Sequence, residues 1–216
     1  MALAGAGNVA GLLLAYEGMR RGKVSIVAPI SSTEGAIAAL LAVATGEALG
    51  VPSAVMLGLI AAGVVLASLT SSDDGAGGHA VEATLYASAA ACCFGAGLFA
   101  TAKVAVSLPL VWAVIPPRAV GFVVVALPLL AARKMRIEAA AAPLVVVSGI
   151  CEVAGCASYS LGARHGVAVS AVLASQFAAV ATVAAFVVFG ERLRSIQVVG
   201  IVLIAVCVAA LSAVRA

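Results

Sequence analysis

Long apolar runs dominate this chain and leave it few ways to fold. About eight can be marked, at 3–19, 24–45, 52–70, 84–106, 108–132, 141–162, 167–189 and 195–214. A run of about 20 apolar residues is enough to cross the hydrocarbon core of a bilayer as a helix. Ala, Val, Leu and Gly fill the runs without the alternation of a membrane barrel strand. A water-soluble fold needs a largely polar surface, and here 64% of residues are hydrophobic and only 10% charged. The expectation is an all-α integral membrane bundle of about eight transmembrane helices joined by tight loops. No separate soluble domain is expected. The opening stretch, MALAGAGNVAG, lacks the basic segment that begins a signal peptide.

The charges fit that reading. Lys and Arg cluster at the ends of runs, at Arg20, Arg21 and Lys23, at Arg133, Lys134 and Arg136, and at Arg192 and Arg194. Membrane helices end in this way. A net charge of +3 gives no reason to expect a nucleic-acid partner. Cys92, Cys93, Cys151, Cys156 and Cys207 all fall inside apolar runs and form no CxxC pair. They are expected to be small packing residues of the core.

The chain repeats itself at an offset of 144 residues. NVAG at 8–11 matches EVAG at 152–155, and GMRRG at 18–22 matches GARHG at 162–166. Ser31 matches Ser175, and GEAL at 46–49 matches GERL at 190–193, after which the register slips by two residues. Two further runs, 84–106 and 108–132, precede the second copy, whereas eight residues precede Val9. The full unit therefore reads as five helices, with only the last three in the first copy. Two units with an odd number of helices enter the membrane from opposite sides, which is the inverted-repeat plan of many secondary transporters. The organisation expected is a first repeat at 1–72, a connector at 73–80 (within SSDDGAGGH, 71–79) and a second repeat at 81–216.

These stretches carry a family resemblance. A helix, a basic turn, a helix with an early proline (Pro29), a GE-x-L turn and a Gly-containing last helix resemble the EamA-type branch of the drug/metabolite transporter superfamily. GERLRSIQVVGIVLIAVCVAAL is the most specific stretch, and RRGKVSIVAPISS supports it. The resemblance covers essentially the whole chain. It implies ten helices as two inverted five-helix repeats (3+5 here, without the first two) and export or exchange of small, amino-acid-like or drug-like metabolites. It also implies a multi-pass protein of the plasma membrane with both termini cytoplasmic. The count of loop Lys and Arg favours the opposite orientation. The partners expected are a small-molecule substrate and the lipid bilayer, with a homodimer left open.

Polar residues inside the runs are the candidates for function. Glu34, in VAPISSTEGAIAAL, has no basic residue within ten positions, and Glu152 lies near the middle of its own run. A charge at such depth costs roughly 2.5–3.5 kcal/mol on insertion scales. Both carboxylates are therefore expected to face the bundle interior, either serving a proton-coupled carrier or, protonated, bonding backbone and holding helices together. Ser31, Ser32 and Thr33 precede Glu34, and Ser31 shares its face. Pro29 removes a backbone donor and is expected to kink the helix. Together these residues make either a cavity wall or a close-packing surface. In the second copy Ser175 and Gln176 take these positions, with Ala178 opposite Glu34, so the two halves are chemically unequal. Tyr159, two turns from Glu152, is expected to point the same way.

Arg118, in IPPRAVGF, admits three roles: binding a substrate carboxylate, pairing with a buried Glu, or snorkelling to the headgroups if its helix starts at Pro116. Lys103 is expected at an interface, and Glu17 in an ion pair with the adjacent arginines. Glu47 and Glu191 read as structural residues of the GE turns, each after a helix-ending glycine. His79 and His165 are expected in loops, and no metal-ligand or triad spacing surrounds them. No cofactor or metal is expected. A membrane-embedded enzyme would need a catalytic set at one membrane face, and none is visible, so no enzymatic activity is expected. A non-transporting remnant or assembly partner is the competing class.

Overall fold

The computed structural model describes residues 1–22, 24–68, 78–133, 141–176 and 195–215. Among them every regular element is helical: α1 (Ala2–Arg21), α2 (Val24–Ser31), α3 (Glu34–Ala44), α4 (Val51–Ser68), α5 (Gly78–Ser107), α6 (Leu110–Gly121), α7 (Leu127–Ala131), α8 (Ala142–Ala163), α9 (Val167–Ala174) and α10 (Ser195–Arg215). A π-helical turn, Phe122–Ala126, joins α6 to α7 without interruption. Three stretches are long and apolar enough to cross a membrane: Val81–Ser107, Leu110–Ala131 and Ala142–Ala163. The connector at 71–79 lies mostly outside the described residues, as does most of the run at 167–189.

The bundle is organised around α5. Some 39% of its most apolar window is buried, against 11% for α6–α7 and for α8. Lipid offers no hydrophobic drive between helices, so close backbone approach must hold them together. Glycine supplies it on α1. A methyl group on Gly7 would come within 2.7 Å of the Cys93 carbonyl oxygen, and one on Gly11 within 2.5 Å of the Phe94 ring. Gly18 lies beside Tyr86, so α1 runs antiparallel to α5. The pair α4 and α10 uses the same device, with Gly63 against Ile204 and the Gly200 carbonyl.

Two arginines mark the ends of α5. Arg21, the last residue of α1, donates to the Tyr86 hydroxyl at 2.7 Å, lies 4.4 Å over that ring and is 3.5 Å from Glu82. Arg21 and Arg20 also pair with Glu17, at 2.9 and 3.1 Å. Arg164, in the turn after α8, donates to the carbonyl oxygens of Ala105 (2.9 Å) and Leu108 (3.1 Å). It thereby satisfies carbonyls left open at the far end of α5. The two turns that match in sequence thus sit at opposite ends of one helix, about 35 Å apart at 1.5 Å per residue. With Tyr159 bonded to Leu98 and Arg164 to Ala105, α8 runs parallel to α5, and α1 runs the other way.

Several expectations need correction. The run 24–45 is two helices, broken at Ser32 and Thr33. Only Cys207 of the five cysteines is buried; Cys92 and Cys151 are exposed on the apolar outer surface. His79 belongs to the first turn of α5, while His165 lies in a turn. Helix α6 begins at Leu110, after the N-cap Pro109, and runs through Pro116 and Pro117. Arg118 is therefore well inside a helix and not at its start.

Candidate functional site

The break between α2 and α3 is made by hydrogen bonds that turn back early. Thr33 N–H donates to the Ile30 carbonyl, three residues back, at 3.1 Å, and the Thr33 hydroxyl donates to the same oxygen at 2.7 Å. A short hydroxyl side chain competes in this way with the next helical donor. Pro29 sits within α2, before the break. At α9 the Gln176 N–H turns back to Leu173 (3.4 Å), and the Ser175 hydroxyl donates to Val172 (2.9 Å). No proline stands in α9, so proline is not the shared cause.

The start of α3 meets the end of α9. A methyl group on Gly35 would strike the Ser175 hydroxyl and come within 2.5 Å of the Ala171 carbonyl oxygen. One on Gly95, near the middle of the 81–107 span, would come within 2.9 Å of the Glu34 carbonyl oxygen. Glu34 therefore begins α3 level with the middle of α5, where the open N–H groups of the first turn favour an acidic residue.

The far end of this pair is fixed by Glu47. Gly46, at φ 98°, closes α3 with Glu47 N–H bonded to Ala42 and Gly46 N–H to Val43, both at 3.0 Å. This is the left-handed helix ending that glycine favours. It aims Glu47 at the start of α9, where its carboxylate accepts from Val167 N–H (3.1 Å) and Ala168 N–H (3.2 Å). The GE turn of the first copy thus caps a helix of the second. Glu191 lies outside the described residues.

Behind this crossing of α3 and α9 lies a cavity of about 700 Å³. Five of the candidate residues line it: Ser31, Glu34, Arg118, Glu152 and Tyr159. Arg118 Nη1 lies 2.8 Å from Glu152 Oε1, an ion pair between α6 and α8. The Tyr159 hydroxyl donates to the Leu98 carbonyl at 2.9 Å, which fixes its ring on the wall. Ser31 is 5% exposed, and its hydroxyl has no hydrogen-bond partner among the described residues. Glu34 has no hydrogen-bond or ion-pair partner among them either.

Ser32, Thr33, Ser175 and Gln176 are not among the described wall residues. The last three end helices: Gln176, like Ser175, donates to the Val172 carbonyl, at 2.8 Å. Pro29 is helical backbone, and its side chain lies outside what the structure describes. The cavity adds residues that sequence reasoning did not single out, above all Asn8, with Thr101 and Phe94. A signal for Asn8 was present, because the 144-residue register sets it opposite Glu152, and both reach the same chamber. Among the described residues no cluster of His, Cys, Asp or Glu could hold a metal ion.

No family model matches the chain, and no curated protein does. A solved structure known only as "Crystal structure of protein" has the same fold, with a TM-score of 0.80 at 18% identity over 99% of this chain and 77% of that one. The all-helical fold with three helices long and apolar enough to cross a membrane points to a membrane protein, and the chamber brings Glu34, Arg118 and Glu152 to one wall.

Proposed function

We propose that this chain is a secondary transporter of the EamA type, built on eight membrane helices as 3+5 of a 5+5 inverted repeat. It exports or exchanges small metabolites across the plasma membrane, with Glu34 exchanging a proton for substrate. The observation that carries the reading is the chamber itself. Glu34 from the first repeat and the Arg118–Glu152 pair from the second line one cavity, beside the break between α2 and α3, where α3 meets the end of α9. Substrate sites between inverted repeats, formed by discontinuous helices, are a recurring transporter plan. The basic turns at opposite ends of α5 support the inversion.

The test is a flux screen in proteoliposomes holding the purified chain, with and without an imposed pH gradient. Movement of a small amino-acid-like or drug-like solute that responds to the gradient supports the reading. Equal flux in protein-free vesicles for every solute contradicts it, and would favour the assembly-partner alternative. One observation favours that alternative: α8 exposes Leu144, Val145, Val146, Val147 and Ile150 together.

A further inference from the structure

The best-buried part of the bundle lies to one side of the chamber. Helices α3 and α9 run antiparallel, with Gly35 against Ser175 at the chamber end and Glu47 on the first amides of α9 at the other. Between these contacts Ala38, Ala42, Ala168 and Ala171 are at most 1% exposed. Ala102 of α5 and Tyr159 and Ala163 of α8 pack into the same cluster. The lining of the chamber stops at this cluster, at Thr101 on α5 and Tyr159 on α8. Past it Arg164 donates to the carbonyls at the end of α5. In the opposite direction the lining continues along α1 through Leu12 and Ala15 to Met19, the residue before Arg20 and Arg21. The chamber therefore reaches towards the Arg20–Arg21 turn and ends against α3 and α9 on the side of Arg164.

Alanine side chains let the two backbones approach closely but interlock little, so the seam alone resists sliding weakly. Its fixed point is Glu47. One carboxylate receives two amides, Val167 at 3.1 Å and Ala168 at 3.2 Å, and hydrogen bonds to a carboxylate are about twice as strong as those between neutral groups. The same amides carry the positive end of the α9 dipole. Helix α9 is eight residues long, too short to hold its shape without packing and a cap. The bond also crosses from the first repeat to the second. We infer that Glu47 is a latch. Its bond to α9 keeps the two repeats together on the Arg164 side, so that this state opens its chamber to the Arg20–Arg21 side alone, and release of Glu47 opens the other side. The inference rests on the inverted-repeat reading above, in which solute passes between the repeats. It adds the closed side and the bond that closes it, and it requires no particular substrate.

The experiment reads the side from which the chamber is reached. In a variant of the full chain lacking the five native cysteines, Asn8→Cys and Gly155→Cys place a thiol on two of its walls. An added methyl on Gly155 meets nothing within 4 Å, so a cysteine fits there. Each is treated in sealed vesicles with a small membrane-impermeant thiosulfonate on one side, with Arg20→Cys and His165→Cys marking the two sides. The expected result is labelling several times faster from the Arg20 side. Adding Glu47→Ala is expected to raise labelling from the His165 side about fivefold, the shift in an opening equilibrium that loss of a helix cap gives. Glu47→Gln, whose amide oxygen still accepts from an N–H, is expected to lie between. Glu17→Ala breaks ion pairs at the opposite face and is expected to leave the sidedness unchanged. Size-exclusion profiles that match the parent chain show that the variants fold. Equal labelling from both sides before Glu47 is changed overturns the inference. So does labelling that neither Glu47→Ala nor Glu47→Gln alters, an equal opening by Glu17→Ala, or marker cysteines that both react from one side. Gradient-driven flux without sidedness sinks the latch and leaves transport standing. Sidedness that Glu47 controls, without flux, upholds the latch and counts against transport.

Discussion

Arg118 and Glu152 face each other at 2.8 Å across the gap between α6 and α8, two helices that are otherwise mostly exposed along their apolar faces. Each charge makes the other tolerable at this depth. Removing one leaves its partner uncompensated on the chamber wall, at a cost of up to about 2.5–3.5 kcal/mol, whereas removing both leaves no orphan. Arg118→Met and Glu152→Leu are each expected to lower the thermal unfolding midpoint, and the double variant to recover most of the loss. A double variant as unstable as the sum of the two singles contradicts the pairing, because independent sites add.

Gly35 and Ser175 set how closely α3 and α9 approach. Gly35→Ala is expected to destabilise the bundle by about 1–3 kcal/mol, the usual range for overpacking. Gly58 in α4 has nothing within 4 Å of an added methyl, so Gly58→Ala should be neutral or slightly stabilising. Equal effects of the two substitutions in thermal unfolding would show that the crossing at Gly35 is looser than described.

Glu47 caps α9 from 120 residues away in sequence. Glu47→Ala leaves the Val167 and Ala168 amides open and is expected to cost about 1 kcal/mol. Hydrogen exchange should rise first at those two amides, before any change in α5. Exchange unchanged at Val167 and Ala168 counts against the cap.

The turns at Arg20–Arg21 and Arg164–His165 lie at opposite ends of α5. In a variant lacking the five native cysteines, Arg20→Cys and His165→Cys should react with a membrane-impermeant maleimide from opposite sides of sealed vesicles. Labelling of both from one side contradicts the inverted arrangement.

The elements were legible where they rest on local chemistry. Apolar run length located the long helices, and the basic turn at Arg20–Arg21 marked the end of α1 because charged side chains avoid hydrocarbon. The break at Ser32–Thr33 was not legible as a break. Pro29 drew attention to a kink, whereas the break goes with the Thr33 hydroxyl bonding back three residues, and the Ser175 hydroxyl bonds back in the same way at the end of α9 without proline. Partnerships between distant residues were also hidden, since nothing local joins Glu47 to Val167 or selects Glu152 among the groups open to Arg118. Asn8 was within reach. Its repeat register with Glu152 pointed to the cavity, but an uncharged residue near the start of a run gives no energetic alarm.

The central claim is that Glu34, placed at mid-depth beside the chamber, trades a proton for substrate. It is tested most directly by solute flux against a pH gradient in proteoliposomes holding equal amounts of the parent chain and of Glu34→Gln. The amide keeps the size and most of the hydrogen-bonding capacity of the acid but cannot ionise. The account predicts that gradient-driven flux falls to the protein-free level in Glu34→Gln, with membrane insertion unchanged. Gradient-driven flux that persists at the parent rate in Glu34→Gln would contradict it.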